Sequence, residues 1–369
     1  MSRLDFEPAV IGLARELDLS GNGPPVEAVH ASCRERIDRW VAEVGGVEDV
    51  GELEAVVAGR LQLVIEEVWS EADFERLKAG YAVGMREIVF ASMKMQFEDD
   101  ATYGMLVKRR NAAPDDPDLY VAVIDCRGKK AARRFFTRWH EIIHRMTTDA
   151  DPDKPRFRSA KDPIEQLMDE IAGRVGFYEP IFVPALQAAM RGRPRLSFEV
   201  ADEVIRRAFP TASFQATLRA CTAVMETPVI LVEAAIAHKA AVLRRINNPT
   251  LSMFDEDEPA GQLRVVTVVR NGAAKQHGFD IPTKMRVPAS CVIASCFEGA
   301  AREHLTGRED LFSWEESGGS RLPTCEVSIE AKKIQDRVIA LVQPMNSPRN
   351  RLREPRPSPM FDAEDLPHA

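Results

Sequence analysis

The stretch Ala131-Ala132-Arg133-Arg134-Phe135-Phe136-Thr137-Arg138-Trp139-His140-Glu141-Ile142-Ile143-His144-Arg145-Met146-Thr147-Thr148 decides how the rest of the chain is read. It contains no proline or glycine. Phe135, Phe136, Trp139, Ile142, Ile143 and Met146 recur at the spacing of a helix that buries one face. Positions four apart share a side of a helix, so His140 and His144 aim their imidazoles at one point, with Phe136 one turn earlier on the same stripe. With seven histidines in 369 residues, chance supplies roughly 0.01 matches to His-Glu-x-x-His, so the pattern asks for a chemical reason. The run Asp149 to Pro155 brings Asp-Pro chemistry that ends the helix.

A second helix start follows at Asp162-Pro163, with Asp162 as N-cap and Pro163 in the first turn. It carries Glu165 and Asp169, again four apart and on one face. Two neutral imidazoles and a carboxylate suit a catalytic zinc, which keeps a fourth position for water. His140, His144 and Glu165 are therefore the candidate metal ligands, and Asp169 is placed to accept the outer N–H of a ligand histidine. Manganese or iron also accepts such a ligand set. Glu141 lies between the histidines and is expected to act as general base. The plain alternatives are a surface cluster of helical polar residues, and an Asp169 that is merely solvated. Tyr103 and Tyr178 are candidates for an oxyanion donor, against the ordinary role of packed tyrosines. Cys126 sits at the end of an expected strand, where it is either a half-buried thiol or a thiolate that caps the metal.

These residues resemble the ImmA/IrrE metallopeptidase family. Phe136-Thr137-Arg138-Trp139-His140-Glu141-Ile142-Ile143-His144 is similar to its first motif, in which Phe-Thr precedes the His-Glu-x-x-His. Glu165-Gln166-Leu167-Met168-Asp169-Glu170-Ile171-Ala172 is similar to its second, and the resemblance spans roughly residues 75 to 245. Trp139, Ile143 and Met168 stand where the family favours small residues. The resemblance implies a zinc endopeptidase that cuts a specific protein, typically a helix-turn-helix repressor, in a stress, DNA-damage or anti-phage response. It also implies a zincin-like core, and some members carry a GAF-like sensory domain at the C-terminal end.

The chain reads as α+β. A helical region covers 1–75, a mostly helical metallopeptidase domain with a small sheet 76–250, a β-rich α/β sensory domain 260–345, and a disordered tail 346–369. Ala31 to Val44, Glu52 to Trp69 and Ala72 to Ala91 carry helical periodicity, and residues 196 to 245 return to helices. Gly104 to Lys108 and Leu119 to Asp125 read as paired strands beside the metal helix, an edge on which a substrate can add as a strand. Leu263 to Val269, Cys291 to Cys296, Cys325 to Ile329 and Val338 to Val342 are β-rich runs.

Composition bounds the rest. No segment reaches 18 uncharged apolar residues, and the acidic start is no signal peptide, so a cytoplasmic protein with reduced cysteines and no membrane partner is expected. The net charge is −8, yet Arg127 to Lys161 holds eleven basic residues against four acidic ones. That stretch is either a solvated helix face or a field for an acidic partner such as single-stranded nucleic acid. Two further function classes stay open. One is a general gluzincin-like peptidase. The other is a regulator that senses nucleic acid or a small-molecule activator beside a vestigial metal site.

Overall fold

The structure is a computed structural model, and it describes residues 3–81, 93–99, 102–109, 113, 115–117, 119–147, 162–238, 261–299, 304–315, 319 and 321–345. The chain is mixed α+β and divides into two compact units. The first comprises residues up to Arg193 with Glu199–Ala220, and the second comprises Pro194–Phe198 with residues from Cys221 onward.

The first unit opens with helices α1 (Pro8–Glu16), α2 (Pro25–Glu43) and α3 (Val50–Arg60). Asp49 caps α3 by accepting the Glu52 N–H at 2.9 Å. The sequence reading carried this helix on to Trp69, and the structure corrects it. α3 stops at Arg60, Gln62 takes a left-handed φ of 53°, and Leu63–Val68 becomes strand β1. The β-branched Val64, Ile65 and Val68 explain the switch, because they pack well on a pleated surface. Helix α4 covers Glu71–Tyr81, and the remainder of the helix expected to Ala91 lies outside the described residues.

Strands β2 (Gly104–Lys108) and β3 (Tyr120–Asp125) pair antiparallel, and β1 joins β3 in parallel, giving the order β1-β3-β2. β3 is buried at every residue, as a central strand covered on both faces must be. On one face Val121, Val123 and Met105 pack with Phe74 and Leu77 of α4. The other face receives helix α5 (Arg134–Thr147). Helices α6 (Pro163–Val175), α7 (Glu179–Met190), α8 (Phe198–Ala208) and α9 (Phe214–Val224) follow.

The second unit is built on a five-stranded antiparallel sheet, β5-β4-β8-β7-β6. Its strands are β4 (Ile230–Ala237), β5 (Gln262–Arg270), β6 (His304–Asp310), β7 (Glu326–Ile334) and β8 (Arg337–Pro344). Two short helices, α10 (Gly272–Gln276) and α11 (Val292–Glu298), complete it around a core that includes Trp314, Ile293, Ile329 and Val342. Two expectations are corrected here. Residues 230–237 were read as helical but form the strand beside the sheet centre. Cys291 to Cys296 was read as β-rich but is helical, burying Ile293, Ala294 and Cys296. The tail from residue 346 lies outside the described residues. No described helix is long and apolar enough to cross a membrane.

Candidate metal centre

α5 packs against β2, β3 and α6, burying Phe135, Thr137, Trp139, Glu141, Ile142 and Ile143. His140 and His144 stand on the flank of this buried face, one turn apart, with ring centroids separated by 4.7 Å. α6 begins as the sequence implied. Asp162 accepts the Ile164 N–H at 2.8 Å, Pro163 occupies the first turn, and Glu165 follows inside that turn.

The two helices bring three atoms to one point. His140 Nε2 lies 3.1 Å and His144 Nε2 3.2 Å from Glu165 Oε2, and the two ring nitrogens lie 3.0 Å apart. His140, His144 and Glu165 form a group able to hold a metal ion. Asp169, one turn after Glu165, meets His140 Nδ1 at 2.8 Å.

The chemistry of this donor set fits a divalent cation. Asp169 takes the Nδ1–H of His140, which leaves the Nε2 of the neutral ring as a bare lone pair. That lone pair faces a second imidazole nitrogen and a carboxylate oxygen. Without a positive centre the cluster recruits a proton. Burial pulls the His140 pKa down, but the bonds to Asp169 and Glu165 outweigh burial and lift it to about 10. Glu165 moves the other way. Burial would raise it, yet hydrogen bonds from His140 and His144 hold it at about 2. A metal ion would take the same lone pairs in place of that proton.

Glu141 is buried beneath the histidines. Burial raises its pKa, and the imidazoles of His140 and His144 offset this only in part. Its Oε1 would lie 2.6 Å from a Cβ placed on Gly104, as would Thr137 Cγ2. Gly104 is therefore required to let β2 approach Glu141, a contact the sequence reading did not find.

The bulky residues near the motif also have their space. Trp139 is fully buried against Gly176, where a Cβ would meet the indole at 2.8 Å. Met168 is buried with its sulfur 3.4 Å from the Thr147 hydroxyl.

The remaining candidates have other partners. Tyr178 gives its hydroxyl to Asp38 at 2.7 Å, and Tyr103 stacks under the Arg133 guanidinium at 4.2 Å. Cys126 is buried outside the metal-capable group, and burial pushes its thiol up to about 12, which opposes a thiolate cap. The described part of the basic stretch is largely engaged within the fold. Arg127 and Lys130 bind Asp125, Arg138 binds Glu54 at 2.7 Å, Arg134 covers Trp69, and Arg145 lies 3.8 Å over Tyr120. Lys154, Arg156, Arg158 and Lys161 lie outside the described residues.

No family model matches this chain, and no curated protein matches it. Among solved structures it is similar to a Mycobacterium tuberculosis transcriptional regulator, at 10% identity and a TM-score of 0.39, over 93% of this chain and 82% of that one.

Proposed function

We propose that the chain is a zinc-dependent endopeptidase of the ImmA/IrrE type, with a zincin-like first unit that cuts a specific protein substrate. The observation that carries this reading is the convergence of His140, His144 and Glu165 while Asp169 already holds the outer nitrogen of His140. His140, His144 and Glu165 would hold the zinc. When bound, zinc lowers the pKa of water and polarises a carbonyl.

The chain's own groups supply the rest. Glu141, kept from bulk water, accepts a proton from the attacking water. It then delivers that proton to the amine as the C–N bond breaks. Substrate has a natural seat on β2, the edge of the three-stranded sheet. Asp125 donates its N–H to the Tyr103 carbonyl at 2.8 Å, and Arg109 donates its own to the Leu119 carbonyl at 2.9 Å. In an antiparallel ladder this fixes Gly104, Leu106 and Lys108 as the positions whose N–H and C=O point to the open edge. An extended peptide bonded there would run past Gly104, directly above Glu141.

A helix-turn-helix repressor remains the proposed substrate, on the motif resemblance. The second unit's antiparallel sheet, packed with short helices, supports a GAF-like sensory role. The test is cleavage of a helix-turn-helix protein, chosen from the reading frames neighbouring this one, with metal content measured in parallel. Glu141→Gln should keep its zinc and lose cleavage. Cleavage that survives this substitution removes the reading, and robust digestion of casein would favour a general peptidase.

A further inference from the structure

Arg264 on β5 is 2% exposed. Its Nη1 donates to the Lys284 carbonyl at 2.8 Å and its Nη2 to the Gln262 side-chain oxygen at 2.6 Å. Nε is equally buried and donates to nothing. No carboxylate reaches this guanidinium among the described residues. A buried charge with no counter-charge is among the costliest features a fold can hold.

The neighbouring residue adds to that cost. The segment around Lys284–Val287 runs antiparallel along the outer side of β5, with Val265 N–H bonded to Met285 O at 2.9 Å and Val287 N–H to Leu263 O at 3.0 Å. Arg286 therefore sits directly opposite Arg264. The pair occupies a non-hydrogen-bonded position, where facing side chains come closest and like charges repel. Arg286 is exposed and makes no ion pair among the described residues. Burial and Arg286 together pull the Arg264 pKa down.

The row continues across the sheet. Arg264 pairs with Ala235 of β4, and Ala235 pairs with Arg337 of β8, so all four side chains share one face. Ala235, the smallest side chain of the row, stands between Arg264 and Arg337. Among the described residues Arg337 has loose contacts, with Glu233 at 3.8 Å and Asp336 at 3.9 Å.

We propose that Arg264 and Arg286, with Arg337 across Ala235, bind the phosphate group of a small phosphorylated molecule. Two unpaired guanidinium charges match a dianion, and a phosphate monoester carries about −1.5 to −2 at neutral pH. A carboxylate would neutralise only one of them. The guanidinium forks also suit the several acceptor oxygens of a phosphate. The site rests on no feature of the metal centre, and it gives the second unit a ligand of stated chemistry.

The test is calorimetric titration of the full chain in chelator, which removes any phosphate contact with a metal. The probes are inorganic phosphate, a nucleoside 5′-monophosphate, the matching nucleoside, and a short single-stranded oligonucleotide without a terminal phosphate. Binding of phosphate and the mononucleotide, but not the nucleoside, is expected. Arg286→Ala, which alters an exposed side chain, should bind about tenfold more weakly, the factor carried by one charge-assisted contact. Arg264→Met should abolish the signal; should it fail to fold, Arg286→Ala decides alone. Equal affinity in wild type and Arg286→Ala overturns the assignment, as does a phosphate signal no larger than that of the nucleoside. An oligonucleotide that binds where the mononucleotide does not overturns it too.

Discussion

Asp169 touches no proposed reacting atom, yet it sets which nitrogen of His140 faces the cluster, through a 2.8 Å bond to Nδ1. Asp169→Ala should therefore weaken zinc binding about 10- to 100-fold, the usual cost of losing such a partner, as read by competition with a chromophoric chelator. Unchanged affinity would mean that the ring is held by something else. Gly104 makes a second demand at this scale. A methyl group there lies 2.6 Å from Glu141 Oε1 and from Thr137 Cγ2, so either β2 retreats or the carboxylate turns. Gly104→Ala should cost about 1–3 kcal/mol of stability, as overpacking does, and should lower cleavage while zinc affinity is kept. Denaturant unfolding and metal titration separate these effects, and a variant matching wild type in all three would refute the contact. His140, His144, Glu165 and Asp169 were legible in the sequence because helical spacing places them without knowledge of the fold. Gly104 was not, because its partner is Glu141 on another element and only the three-dimensional approach of β2 to α5 joins them.

At the scale of elements, the helix that carries both histidines is held from behind by a contact to a buried carboxyl. Glu54 of α3, buried, meets Arg138 of α5 at 2.7 Å, with Glu67 of β1 at 3.6 Å from the same guanidinium. Burial holds the Glu54 carboxyl up at about 7, against the pull of Arg138. A carboxyl whose folded pKa exceeds its unfolded value favours the fold in its neutral form. Its contribution is whole below the ordinary value of 4.5 and is lost as pH rises through about 7. The shift corresponds to roughly 3 kcal/mol at most. Stability of the wild type should therefore decline from about pH 4.5 to about pH 7 and level off above that, and Glu54→Gln should flatten that decline. Parallel curves for the two proteins would assign the titration elsewhere. A similar logic governs Gly176, whose missing side chain admits Trp139 between α5 and α6. Elements with long, single-period patterns were legible, α2 and α5 above all. β1 was hidden because its apolar residues continue the stripe of α3, and only the left-handed Gln62 breaks the run. α11 misled for the opposite reason, since Val292 and Ile293 are β-branched but pack as a helix on the sheet.

For the whole molecule, Arg127, Lys130 and Arg138 near the metal-capable cluster are already engaged in ion pairs, so metal binding and not bulk charge should dominate its response to solution conditions. A ligand that binds only the folded state stabilises it by mass action, about 2.7 kcal/mol at a concentration one hundred times its Kd. For a body of this size that corresponds to roughly 5–10 °C in Tm. Added zinc should raise Tm by that order, and chelator should reverse it. His144→Ala, which removes one of three ligands, should abolish the shift. The location of the effect is as informative as its size. Glu165 and the histidines come from α5 and α6, so zinc should slow hydrogen exchange at amides of those helices. Amides of β4 and β8, at the centre of the other sheet, should exchange at the same rate with and without zinc. Protection that appeared in β4 and β8 instead, or a Tm shift that persisted in His144→Ala, would place the metal away from these two helices.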